Sequence, residues 1–241
     1  MREPMGRIRG LFRYPVKSMA GVALETARLG WHGIEGDRRL AFRRVADKGG
    51  FPWLTASRLA RLVLYRPFGG EGGDPVPTHV KTPDGRDLEI GGDEMRAELA
   101  AALGADVELM RLDRGIFDEA PVSIVSVASL EAVARDAQRP TDVRRFRPNL
   151  LVEAEGGVAF AEDAWIGKVL RLGSGPDAPA VAVTMPDKRC VMINLDPDTA
   201  TAEAGMMKSA VRLHDNNVGV YAVVVRAGTI ALGAGLYLEG S

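Results

Sequence analysis

Thr184-Met185-Pro186-Asp187-Lys188-Arg189-Cys190-Val191-Met192-Ile193-Asn194-Leu195-Asp196-Pro197-Asp198 holds the only cysteine of the chain, directly behind two cations. Val181 and Val183 alternate into it as a strand, and Asp196-Pro197-Asp198 closes it as a turn. A strand, a basic pair, a thiol and a turn set a β-rich frame for what flanks them. A thiol beside Lys188 and Arg189 is expected to ionise more readily, because a positive field favours the thiolate, a nucleophile and soft metal ligand. The competing reading is a cysteine that serves as a small buried hydrophobe within the strand.

Working outward, the same alternation recurs. Over residues 7–14, Ile8, Gly10, Phe12 and Tyr14 fall on one face and Arg7, Arg9, Leu11 and Arg13 on the other, a half-buried strand. The loop at 15–21 follows, with Lys17-Ser18 as a weak anion-site signal beside the plainer reading of a solvated turn. Residues 22–29 read as a second strand, 40–42 and 62–65 as short ones. Between them, Asp37-Arg38 is either a self-paired surface feature or an arginine steered toward a ligand. Residues 69–77 are linker-like, and Pro83-Asp84-Gly85 turns a hairpin. A helix spans 94–103, capped by Asp93 and stopped by Gly104. Residues 122–126 read as a strand running into a helix at 130–137, capped by Ser126 or Ser129. Three arginines surround Phe146 ahead of a buried strand, an anion-site candidate or a basic turn. A helical stretch near 202–209 and strands at 218–225 and 235–238 close the chain. Many short strands with few short helices indicate an α+β, β-barrel-rich fold rather than alternating βαβ units.

Composition narrows the function classes. With 31 basic and 32 acidic residues there is no cationic excess to drive broad nucleic-acid binding. One cysteine excludes an internal disulfide, a cysteine-built iron–sulfur cluster and a multi-cysteine zinc site in this chain. Residues 1–7 lack the apolar core of a signal peptide, and no apolar run reaches the roughly 20 residues of a membrane span. A soluble cytoplasmic protein without membrane or nucleic-acid partners is the expectation.

Several segments together resemble one family. Tyr14-Pro15-Val16-Lys17-Ser18, Gly36-Asp37-Arg38, Ser126-Val127-Ala128-Ser129-Leu130, Phe146-Arg147-Pro148-Asn149, Glu162-Asp163-Ala164-Trp165, Arg189-Cys190, Asp196-Pro197-Asp198 and Gly228-Thr229-Ile230 stand in an order and spacing similar to proteins carrying a MOSC domain, the C-terminal domain type of molybdenum cofactor sulfurases. The N-terminal β-barrel module that often precedes that domain is included. The mitochondrial amidoxime-reducing component and its bacterial relatives are of this kind. The resemblance implies a module over 1–112, with its first strands able to join the main barrel, and a MOSC domain over 113–241. It implies molybdenum cofactor (molybdopterin), with Cys190 as metal ligand and catalytic residue. Lys17, Ser18, Arg38, Arg147, Asn149, Arg189, Tyr221 and, more weakly, Ser126 would bind the cofactor. Departures from the family pattern are Ile193 and Ala200, where threonine and glycine are common, and the polar segment 212–217.

Three functions follow. The first is a molybdenum-dependent oxidoreductase that reduces small N-hydroxylated or N-oxide substrates, with electrons from a separate ferredoxin- or cytochrome-type partner. The second is a sulfur (persulfide) or cofactor carrier that works with a sulfur donor; pyridoxal phosphate would then belong to a partner cysteine desulfurase. The third is a Cys–His hydrolase built from Cys190, His214 and Asp215 or Asn216.

Overall fold

A computed structural model describes residues 3–70 and 74–239; residues 71–73 of the linker-like stretch and residues 1–2 of the amino-terminal segment lie outside them. Seven strands close into a barrel: β1 (Gly6–Arg13), β2 (Val122–Ser126), β3 (Leu150–Ala154), β4 (Val169–Leu172), β5 (Ala180–Lys188), β6 (Asn217–Arg226) and β7 (Gly235–Leu238). Around the barrel the order is β3, β2, β6, β5, β4, β7, β1 and back to β3. Only β2 and β3 run parallel. A parallel pair needs a crossover, and the helices Val127–Asp136 and Val143–Phe146 supply it. The expected α+β, barrel-rich architecture is the observed one.

Alternation makes this barrel, and its exceptions are local. Ile8, Leu11, Ile124, Leu150, Val152, Leu170, Val181, Val220 and Leu236 fill one aliphatic core. Strict alternation would have put Leu11 on the polar face of β1. A register shift between Ile8 and Gly10 turns it inward instead, and Leu11 is buried while Phe12 is half-exposed. The strand expected over 22–29 is two: Val22–Leu24 pairs with β1, and Thr26–Gly30 pairs with Gly228–Ala231. The strand expected over 62–65 is a 3-10 turn, Ala60–Leu64, followed by Arg66–Phe68. A short apolar run fits either state, and tertiary packing decides.

Two further cores flank the barrel. One belongs to the amino-terminal part, where Val16, Leu40, Phe42, Leu62, Tyr65, Val80, Met95 and Leu99 pack together. The other lies outside the barrel wall, where Leu130, Val133, Phe146, Met206 and Ala210 pack the helices Val127–Asp136 and Gly205–His214. The connection from β5 to β6 runs between these two cores. Ile193 is buried in the helical core, and Leu195, two residues on, in the amino-terminal one. That double anchor fixes the turn just after Cys190. No helix of the described residues is long and apolar enough to cross a membrane.

Candidate functional site

Cys190 does not lie within the strand. It lies two residues beyond β5, at the N-cap position ahead of the 3-10 turn Val191–Asn194, and it is exposed, so the reading as a buried hydrophobe fails. Its backbone is held from both sides. The Arg189 N–H donates to the Asn216 carbonyl at 2.9 Å, and Asn216 Nδ2 returns a bond to the Arg189 carbonyl at 2.6 Å. Asn216, one of the atypical polar residues, is thus a brace for the cysteine.

Cys190 opens onto a cavity of about 690 Å³ between the barrel mouth and the amino-terminal part. Lys17, Ser18, Arg38, Arg147, Arg189 and Tyr221 line it, brought together from five separate stretches of sequence. Asn149 and Ser126 do not. Asn149 is buried beneath the wall, where its Oδ1 accepts from Ser123 N at 3.1 Å and its Nδ2 donates to the Phe12 carbonyl at 3.3 Å. Ser126 caps the helix Val127–Asp136, accepting from Ser129 N at 3.1 Å, with its own N–H on Glu162. Neither side chain reaches the cavity, so each serves the frame rather than the lining.

The backbone under the cations is unusual. Ser18, Arg38 and Arg147 all take the left-handed conformation, at φ 67°, 48° and 52°. Non-glycine residues rarely do so, and such strain clusters where surrounding structure holds a site in place. Asp37, fully buried, accepts from Tyr14 N at 2.6 Å and pairs with Arg38. The Asp37-Arg38 pair is therefore self-paired and also part of the cavity wall. Tyr14 lies between two guanidinium groups, Arg147 at 4.3 Å and Arg38 at 5.1 Å from its ring centre. Gly21 permits this, since a Cβ there would sit 2.4 Å from the Tyr14 ring.

The cations differ in what they have left to offer. Lys17 donates to Asp118 at 2.8 Å and to the Ile116 carbonyl at 3.2 Å; burial lowers its pKa, partly offset by Asp118. Burial would raise the Asp118 carboxyl, but the charge and hydrogen bond of Lys17 together with the charges of Arg38 and Arg147 outweigh it and hold it below its ordinary range. Arg189 donates to the carbonyls of Val218 and Phe146 and pairs with buried Asp187 at 2.8 Å. Gly219 makes room, because a Cβ there would meet the Ile124 carbonyl at 2.5 Å and Arg189 Nη2 at 3.1 Å. Arg189 thus secures the wall more than it presents donors. Arg147 is the opposite case: Nη1 reaches the Met19 carbonyl at 2.6 Å, whereas Nη2 is buried without a partner. Burial brings its pKa down to about 10.

Residues outside the sequence-level set also belong here. Asp187 is buried, accepts from Ser123 Oγ at 2.6 Å, and has its pKa raised by burial against the pull of Arg189. Burial and then the Asp187 charge raise the Tyr221 phenol. The parity of Asp187 with Val181 and Val183 along β5 was the available signal for its inward position. Tyr14 stood in the Tyr14-Pro15-Val16-Lys17-Ser18 segment of the family resemblance, and Asp118 carried no signal. The Cys190–His214 pairing is not assembled: His214 stacks on Phe160 at 4.2 Å, with Nε2 3.3 Å from Asp163 and Nδ1 3.1 Å from the Asn217 carbonyl.

Six cations line the cavity against three carboxylates, so it favours an anion. Among the described residues, no three His, Cys, Asp or Glu side chains converge as a metal-binding group. A metal at Cys190 would need its other ligands from a bound organic group.

Comparison with known proteins fits this geometry. The family model "MOSC domain" matches residues 95–237, and "MOSC N-terminal beta barrel domain" matches residues 5–115. Mitochondrial amidoxime-reducing component 1 of Mus musculus is 31% identical over 137 residues, which is 51% of this chain and 38% of that protein. The matched part thus spans well under half of the relative. The crystal structure of the YUAD protein from Bacillus subtilis superposes with a TM-score of 0.52 at 14% identity, covering 98% of this chain and 97% of the other, a likeness of fold. YiiM from Escherichia coli matches 50% of this chain and 55% of its own, at 18% identity and a TM-score of 0.36.

Proposed function

Because this chain belongs to the MOSC-domain family, we propose that the cavity at Cys190 holds a molybdenum cofactor and that the protein is an oxidoreductase of small N-hydroxylated or N-oxide compounds. The observation that carries this reading is one exposed sulfur at the edge of a cavity lined by an excess of cations. The residues suit the group. A single thiolate complements a dithiolene, which brings two sulfurs of its own, and the unpartnered Nη2 of Arg147 lacks the acceptor that a phosphate would give. Bound there, the cofactor would supply oxygen-atom transfer coupled to two-electron redox chemistry.

The chain's own part is to hold and orient. Cys190 would ligate the metal, its position set by Asn216 and by the anchors at Ile193 and Leu195. Lys17, Arg38 and Arg147 would neutralise the cofactor's negative charge. Tyr221 would border the cofactor, while Asn149 and Arg189 keep the wall rigid from behind. Electrons would come from a separate ferredoxin- or cytochrome-type protein. Metal analysis of purified protein tests the reading: molybdenum bound in wild type and lost in Cys190→Ala supports it, and a mutant that retains full molybdenum refutes the ligand role.

The exposure of Cys190 also suits a persulfide carrier that takes sulfur from a partner desulfurase. Mass spectrometry after sulfur loading separates the two: a persulfide on Cys190 in protein free of pterin favours the carrier.

A further inference from the structure

Behind the cavity at Cys190 lies a second one, of about 400 Å³. Met192, Arg145 and Arg147 line both, so they form the partition between them. Of the two shared cations, only Arg147 makes no ion pair among the described residues. Arg145 is engaged by Asp196 and Glu203, and Arg144 by Asp142 and Asp198. Lys17, Arg38 and Cys190 do not line it.

Its walls are of two kinds. Phe12, Val22, Val63 and Pro67 supply apolar surface. Arg66 is exposed and makes no direct ion pair among the described residues, although its charge acts on Asp198 of the same wall, whose carboxylate is held by Arg144. Arg147 Nη2 and the Tyr14 hydroxyl are both buried without a hydrogen-bond partner, and both residues line this cavity. Buried donors left unpaired are costly, and natural structures seldom keep two side by side without an acceptor to serve them. A charged rim, apolar walls and unserved donors together describe a site for a molecule with an apolar body and one anionic end.

We infer that this rear cavity is a second binding site, selective for a small aromatic or aliphatic carboxylate, with the anion toward Arg66 and Arg147 and the ring or chain against Phe12, Val22 and Pro67. The inference does not rest on the molybdenum reading, but the two cavities share Arg147, so an anion in one draws on the same guanidinium as an anion in the other. The occupant of the rear cavity would touch Met192, whose sulfur lies 3.7 Å from Ser18 Oγ across the front wall.

The test is titration calorimetry of the full chain with 2-naphthoate, and with 2-naphthylmethanol as the neutral counterpart. Saturable one-to-one binding of naphthoate is expected, at least about tenfold tighter than that of the alcohol, since one charge-assisted contact accounts for that much. Arg66→Glu should weaken it by about tenfold or more. Ala23→Trp, an exposed position on the cavity wall, should abolish it by filling the space. Lys188→Ala, an exposed position on the front cavity alone, should leave it unchanged. Absence of saturable binding, equal affinity for the alcohol, or binding that survives Ala23→Trp overturns the assignment, as does binding lost in Lys188→Ala.

Discussion

The barrel interior and the seam at its mouth are stabilised by opposite means. Inside, Ile8, Leu11, Ile124, Val181 and Leu236 pack without a charge among them. At the seam, Tyr14 sits between two guanidinium groups, three residues hold left-handed backbone, and Asp187 is buried against Arg189. Burial of apolar surface contributes to stability wherever it occurs, whereas buried charge helps only when every member is partnered. The interior is thus the source of stability, and the seam is a region of local strain and like charge that the rest of the fold supports.

Breaking the seam should have the largest effect. Arg189→Met removes the cation paired with buried Asp187, which keeps Ser123 Oγ, and the donors to the Val218 and Phe146 carbonyls, and should destabilise by about 3–5 kcal/mol in chemical denaturation. Breaking the interior comes next: Ile124→Ala should cost about 3 kcal/mol in the same measurement. A third measurement sharpens the contrast through pH. Asp187 has a raised folded pKa, so above the ordinary carboxylate value the folded state keeps a proton that the unfolded chain has released. Stability should therefore fall as pH rises through that window, with a slope of up to about 1.4 kcal/mol per pH unit. In Asp187→Asn that fall should be shallower, with Asp163, whose carboxyl burial also raises, left to contribute. The smallest effect concerns strain alone. Ala200 stands at φ 59°, where left-handed backbone favours glycine, so Ala200→Gly should stabilise by about 1 kcal/mol, seen as a rise in the denaturation midpoint.

The contrast also governs what could be read from sequence. β1 and the first half of β5 announce themselves by alternation because one face of each meets the same dry core, whereas β2 is buried on both faces. Leu11 escaped that rule, since a bulge is a property of two paired strands and not of one. The 3-10 turn at Ala60–Leu64 and the break at Glu25 were hidden for the same reason: partners elsewhere decide them. At the seam, Lys17, Ser18, Arg38, Arg147, Arg189, Cys190 and Tyr221 share one cavity wall, and only their family spacing joined them in advance. Ser126 and Asn149 carry the same spacing but face inward, a distinction that only coordinates make. The departures at Ile193 and Ala200 acquire physical meanings, a core anchor and a strained turn.

β1 pairs with both β3 and β7, so the barrel's first strand in sequence closes the ring with its last. At about 5–20 residues per second, Gly6–Arg13 would wait on the order of 10 to 45 s for its last neighbour to leave the ribosome. Until then the nascent chain carries two open strand edges. A chaperone that shields such edges would find its footing here, and a cut that removed β1 would leave the ring unclosed however well the remaining sequence was preserved.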